Sequence, residues 1–152
     1  MRVHIATDHA AFELKQYLVE RLTADGHEVV DHGASTYESL DDYPPLIIPA
    51  AEAVVADAGS LGVVLGGSGN GEQIAANKVP GIRAALAYNV ELATLARQHN
   101  DANVVALGGR MQSLEEGYAI VAAFLGTPFS GEERHRRRID QISAYEGSVR
   151  RP

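Results

Sequence analysis

The sequence predicts a doubly wound α/β three-layer sandwich built on a five-stranded parallel sheet. Three observations predict it. Short β-like runs alternate with longer helical runs from one end of the chain to the other. Several β-like runs are almost continuously apolar, as in Gly62-Val63-Val64-Leu65 and Asn103-Val104-Val105-Ala106-Leu107. Strands covered by helices on both faces read this way. A helical run such as Leu14, Leu18, Leu22 repeats an apolar residue every fourth position, which paints one face of a helix.

Taken in order, strands are expected at residues 3–6, 28–31, 61–65, 82–87 and 103–107. The first helix carries the leucine stripe and stops near Gly26, a residue suited to a helix C-terminus. Further helices are expected at 44–57, with Pro49 near its first turns, and at 73–77, 89–98, 113–124 and 132–144. Residues 35–42 form the longest loop, and residues 147–152 are expected to fray. The 152 residues contain no internal repeat and no long linker, so a single domain over 1–152 is the natural reading.

Composition narrows the function. No cysteine is present, which excludes disulfides, thiolate catalysis and cysteine-ligated metals. The net charge of −7 opposes a general nucleic-acid partner, because phosphate backbones need a basic surface. No run of eighteen apolar residues occurs, so no membrane partner is indicated. The chain enters its first strand at once, without an export signal, and reads as cytoplasmic. The six histidines at 4, 9, 27, 32, 99 and 135 lack any H-x-x-x-H spacing, so no metal is expected.

In doubly wound folds ligands bind beyond the carboxyl ends of the strands. Three such loops carry chemistry: Thr7-Asp8-His9 after the first strand, Gly66-Gly67-Ser68-Gly69-Asn70-Gly71-Glu72 after the third, and Gly108-Gly109-Arg110 after the fifth. Four glycines in six positions exceed what a tight turn requires. They let an anion approach backbone N–H groups. Glu72 then stands where a helix-start acid is ordinary and where a general base would be well placed. In that reading the helix dipole keeps Glu72 ionised in the empty site, and loss of water on substrate closure raises its basicity. Asp8 is equally a candidate helix cap. His99 precedes a strand, so it lies on the wrong edge of its own sheet and could serve only a neighbouring subunit. Arg134-His135-Arg136-Arg137-Arg138 is the one dense cationic run. Arg134 and Arg138, four apart, share a helix face and suit a phosphate clamp. A solvated basic face paired with nearby acids is the plain alternative. Three familiar motifs fail: the first βα turn has no glycine, no Gly-Lys-Ser/Thr ending occurs, and Asn70 stands where a nucleophile elbow needs glycine.

Several stretches together resemble the type B ribose-5-phosphate isomerases and the related galactose-6-phosphate isomerase subunits. They are Ala6-Thr7-Asp8-His9-Ala10-Ala11-Phe12-Glu13-Leu14-Lys15, Asp42-Tyr43-Pro44, the glycine loop, Ala75-Ala76-Asn77-Lys78, His99-Asn100-Asp101-Ala102-Asn103 and Leu107-Gly108-Gly109-Arg110. Many members carry a cysteine base where this chain has Gly66. The actinobacterial kind, like this sequence, has a glutamate after the loop. The resemblance implies a Rossmann-like fold and a cofactor-free aldose–ketose isomerase of D-ribose 5-phosphate and D-ribulose 5-phosphate, acting through a cis-enediolate. It implies Glu72 as the base, Ser68 as proton carrier between O1 and O2, and Asp8 with His99 in ring opening. Backbone amides near Gly67, Gly69 and Gly71, with Asn100, would stabilise the enediolate. His9, Arg110, Arg134 and Arg138 would hold the phosphate, and Tyr43 would line the sugar site. It further implies a homodimer with shared active sites, with a dimer of dimers as the alternative assembly. Alternatives are an isomerase of a six-carbon aldose 6-phosphate, a serine hydrolase using Ser68 with His99 or His135, and a non-catalytic sugar-phosphate-binding protein.

Overall fold

The computed structural model describes residues 1–149. Five strands form one wholly parallel sheet in the order β2-β1-β3-β5-β4. They are β1 (Arg2–Thr7), β2 (Glu28–Asp31), β3 (Leu61–Gly66), β4 (Ala84–Leu86) and β5 (Val104–Gly108). The helices are α1 (Phe12–Ala24), α2 (Pro44–Ala56), α3 (Asn70–Ala76), α4 (Val90–Asn100), α5 (Leu114–Gly126) and α6 (Glu133–Val149).

Alternation along the strands divides the core in two. Val3, Ile5, Val63, Leu65, Val105 and Leu107 face α1, α4 and α5. Ala6, Val64, Val104 and Ala106 face α2 and α3. Every residue of β3 and β5 is buried, which explains their unbroken apolar runs. The crossover from β1 packs α1 on one face, while the chain leaving β3 packs α3 on the other. The carboxyl ends of the adjacent strands β1 and β3 therefore part into a crevice.

Several boundaries differ from expectation for visible reasons. β4 is shorter than 82–87, pairing with β5 only over Ala84–Leu86, and the Asn77 side chain takes over its outer edge: Oδ1 accepts from Ala84 N–H and Nδ2 donates to Ala84 C=O. That closes an exposed sheet edge. α3 begins three residues early because Gly69 adopts φ +83° as its N-cap. α4 runs to Asn100, two residues beyond expectation, so His99 and Asn100 lie on its last turn rather than in a loop. Asp101 caps it at φ +43°, with its carboxylate paired to Arg97 and Arg83. Pro49 sits inside α2, which starts at Pro44, where proline suits the first turn. α6 is longer than 132–144. Residues 147–149, expected to fray, are helical, and residues 150–152 lie outside the described residues.

Candidate active site

The crevice at the carboxyl ends of β1, β3 and β5 holds about 480 Å³. β1 delivers Asp8 and His9, the β3–α3 loop delivers Gly67, Ser68, Gly71 and Glu72, the chain after β5 delivers Arg110, and Tyr43 enters from the start of α2. Larger grooves of about 760 and 750 Å³ lie elsewhere. The crevice is smaller, but it alone among them joins buried carboxylates to a glycine loop.

Glu72 is 4 % exposed. Burial pushes its carboxyl above the usual range of such groups, its own backbone N–H pulls the other way, and the charge of Asp8 raises it again. Desolvation thus already acts on this carboxylate without substrate, ahead of any further loss of water on closure. Space for the carboxylate comes from Gly66. A Cβ at that position would fall on the Glu72 carboxyl group. A side chain at 66 and the carboxylate of residue 72 therefore compete for one volume, and this chain gives the volume to the glutamate.

The loop around Glu72 is tied at several points. Gly109 N–H donates to Gly66 C=O at 2.7 Å and Arg110 N–H to Gly67 C=O at 3.1 Å, carrying the β3–β5 pairing past the strand ends. Tyr88 Oη donates to Ser68 C=O at 2.9 Å. The Ser68 hydroxyl accepts from Asn70 N–H and Asn70 Nδ2 at 3.3 and 3.1 Å. Asn70, not an imidazole, is its partner, so a single chain does not assemble the Ser–His pair that a serine hydrolase needs. Gly69 is buried and does not line the crevice; a Cβ there would lie 2.7 Å from Leu107 C=O. Its part is the left-handed turn that starts α3.

Asp8 is buried and caps the 3₁₀ turn His9–Ala11, accepting from Ala10 N–H at 2.9 Å. The capping and functional readings of Asp8 are thus compatible. His9 is held by Asp41, a residue that sequence reasoning passed over because acids are ordinary in loops. Met111 also lines the crevice, and nothing in its sequence setting marks it.

Four expected site residues lie elsewhere. His99 and Asn100 end α4, which runs antiparallel to the strands and so finishes at the opposite edge of the sheet. Asn100 lines the groove between β4 and α6. The His99 ring packs on His135 with centroids 4.3 Å apart. His135 is buried and bonds Ser130 Oγ through Nδ1 at 2.8 Å. Burial, then His99 and Arg134, lower its pKa. Arg134 and Arg138 are exposed on α6, with Arg134 paired to Glu132 at 2.7 Å, as the plain basic-face reading has it. One chain thus carries two partial clusters: a buried carboxylate with a glycine loop, and a histidine pair flanked by arginines.

No helix among the described residues is long and apolar enough to cross a membrane. A ribose-5-phosphate isomerase B of Mycobacterium tuberculosis is 56% identical over 152 residues, covering 100% of this chain and 94% of the relative. One of Escherichia coli is 40% identical over 145 residues, covering 95% and 96%. The solved structure of the Mycoplasma genitalium ribose-5-phosphate isomerase B with bound ribulose-5-phosphate superposes with a TM-score of 0.92 at 40% identity, covering 96% of each chain. That of the Trypanosoma cruzi type B enzyme gives 0.92 at 46%, covering 97% and 99%. The profile described as Ribose/Galactose Isomerase matches residues 3–142, and with that match the chain belongs to the ribose/galactose isomerase family.

Proposed function

We propose that the protein interconverts D-ribose 5-phosphate and D-ribulose 5-phosphate, with Glu72 as the base. The observation that carries the roles is the buried Glu72 carboxylate, raised in pKa and set in a crevice beside a glycine-rich loop. In the aldose-to-ketose direction Glu72 takes the proton from C2 of the opened sugar. The resulting enediolate lies against the amides of the Gly67–Gly71 loop, where oriented N–H groups are most effective at developing negative charge. Ser68 carries the hydroxyl proton from O2 to O1. Glu72 then returns its proton to C1, leaving a carbonyl at C2. One hydroxyl serving both O1 and O2 needs the two oxygens on the same side of the C1–C2 bond, which is the cis-enediolate. Asp8 assists ring opening, Tyr43 lines the sugar, and His9 and Arg110 take the phosphate.

The crevice of a single chain is poor in positive charge for a phosphate dianion: Asp8, Asp41 and Glu72 cluster there against Arg110 and His9. The second cluster supplies what is missing. In a two-fold dimer each crevice would face His99, Asn100, Arg134 and Arg138 of the neighbour, and the symmetry makes both sites at once. Ile142, Tyr145 and Val149, all more than half exposed on α6, give such a pairing apolar surface to cover.

The test is incubation of the protein with D-ribose 5-phosphate in heavy water. The expected result is D-ribulose 5-phosphate carrying solvent deuterium at C1. Absence of both ketose and deuterium incorporation would remove the reading, and binding without exchange would leave a sugar-phosphate binder in its place.

A further inference from the structure

We propose that Asp41 is a positioning residue that holds the His9 imidazole in the orientation the phosphate site requires. The inference rests on the reading of His9 as a phosphate contact. Asp41 stands at the end of the loop 32–43, thirty-two residues from His9. Its Oδ1 accepts twice from that one residue, from the backbone N–H at 3.0 Å and from Nδ1 at 2.6 Å. Anchoring the loop needs only the first bond. The second sets the ring: with Nδ1–H committed to a carboxylate, Nε2 is the atom left for a ligand. Tyr37, from the same loop, meets the imidazole edge-on at 6.2 Å, so the ring is confined by two contacts from a single segment.

The remaining chemistry of Asp41 argues against a purely structural part. Its side chain is 14 % exposed, and Oδ2 is buried without a hydrogen-bond partner. A buried acceptor left unpaired costs stability. One ligand atom each of Asp8, His9 and Asp41 lies within 4.8 Å of the others. Carboxylates so close to an anion site repel the anion by themselves. Asp41 therefore helps phosphate only through His9, and its effect must vanish or change sign when His9 is absent.

That reversal is the test. Inorganic phosphate affinity is measured by titration calorimetry for wild type, Asp41→Ala, His9→Ala and the double variant, alongside isomerase kinetics. Asp41→Ala is expected to weaken phosphate about tenfold in the wild-type background, roughly the energy of one charge-assisted hydrogen bond. KM should rise in parallel while kcat changes less. In the His9→Ala background the same substitution should leave phosphate affinity unchanged or tighten it. Equal weakening in both backgrounds, or no weakening in either, overturns the proposal. If Asp41→Ala does not fold, Asp41→Asn replaces it in the cycle: its Oδ1 still accepts from the backbone N–H but, being neutral, holds Nδ1–H more weakly, so the same dependence on His9 is expected with a smaller loss of about threefold in the wild-type background. Calorimetry needs no turnover, so a wild type that binds phosphate but fails to isomerise would strike the functional reading and leave this result standing.

Discussion

At the scale of single residues the proposed reaction depends on Glu72 and on the side-chain space that Gly66 leaves to its carboxylate. Glu72→Gln keeps the shape and removes the base, so kcat should fall about 10²- to 10⁴-fold, the usual worth of positioned base catalysis. Near wild-type turnover would displace Glu72 from that role. Because burial raises its pKa, the acid limb of kcat/KM should lie above the ordinary carboxylate range. Asp8→Asn removes one raising charge and should move that limb to lower pH. Stability follows the same sign. A carboxyl whose pKa is raised in the folded state favours folding at low pH, and that contribution is lost as pH rises through the folded value. Glu72→Gln should therefore be at least as stable as wild type at neutral pH, and any gain should disappear in acid, as chemical denaturation across pH would record. Gly66→Ala tests the space itself. The added Cβ displaces the carboxylate, so turnover should drop about 10²-fold, as for a misplaced catalytic group. The overpacking should cost about 1–3 kcal/mol. An active Gly66→Ala enzyme would mean that Glu72 works from another rotamer.

Whole elements are held by local devices that leave the chemistry untouched. α5 starts with a capping box: Ser113 Oγ accepts from Glu116 N–H at 3.2 Å and Glu116 Oε2 accepts from Ser113 N–H at 2.8 Å. Ser113→Ala should cost about 1 kcal/mol, lowering Tm by about 2–4 °C for a chain of this size, with kcat little changed. A large loss of activity would show that the start of α5 also steers Arg110. α4 ends on a firmer device. Arg97 and Arg83 bind the Asp101 carboxylate and neighbouring carbonyl groups at 2.7–3.3 Å, fixing the turn that presents His99 and Asn100.

For the whole molecule, the proposed division of one site between two chains makes a prediction that no single chain can satisfy. Glu72→Gln and His99→Asn damage different halves. Mixed after subunit exchange, random pairing gives about half hybrid dimers, each with one intact site, and so about a quarter of wild-type activity. Each variant alone should stay near background. No recovery despite demonstrated exchange would place both residues in the same chain's site, or His99 in none.

Much of this was legible in the chain itself. Unbroken apolar strands fixed the layering, because a strand buried on both faces has no polar side to show. Loop chemistry at strand ends singled out Asp8, Ser68, Glu72 and Arg110, because a parallel sheet sends all its carboxyl ends to one edge. Local periodicity could not supply strand order, the competition between position 66 and the Glu72 carboxylate, or the bond from Asp41 to His9. Each joins residues through space that the sequence does not align. That His99 lies on the edge opposite Glu72 followed from its place before a strand, whereas only the packed structure showed that Arg134 and Arg138 stand with it, since where the last helix docks is set by tertiary packing.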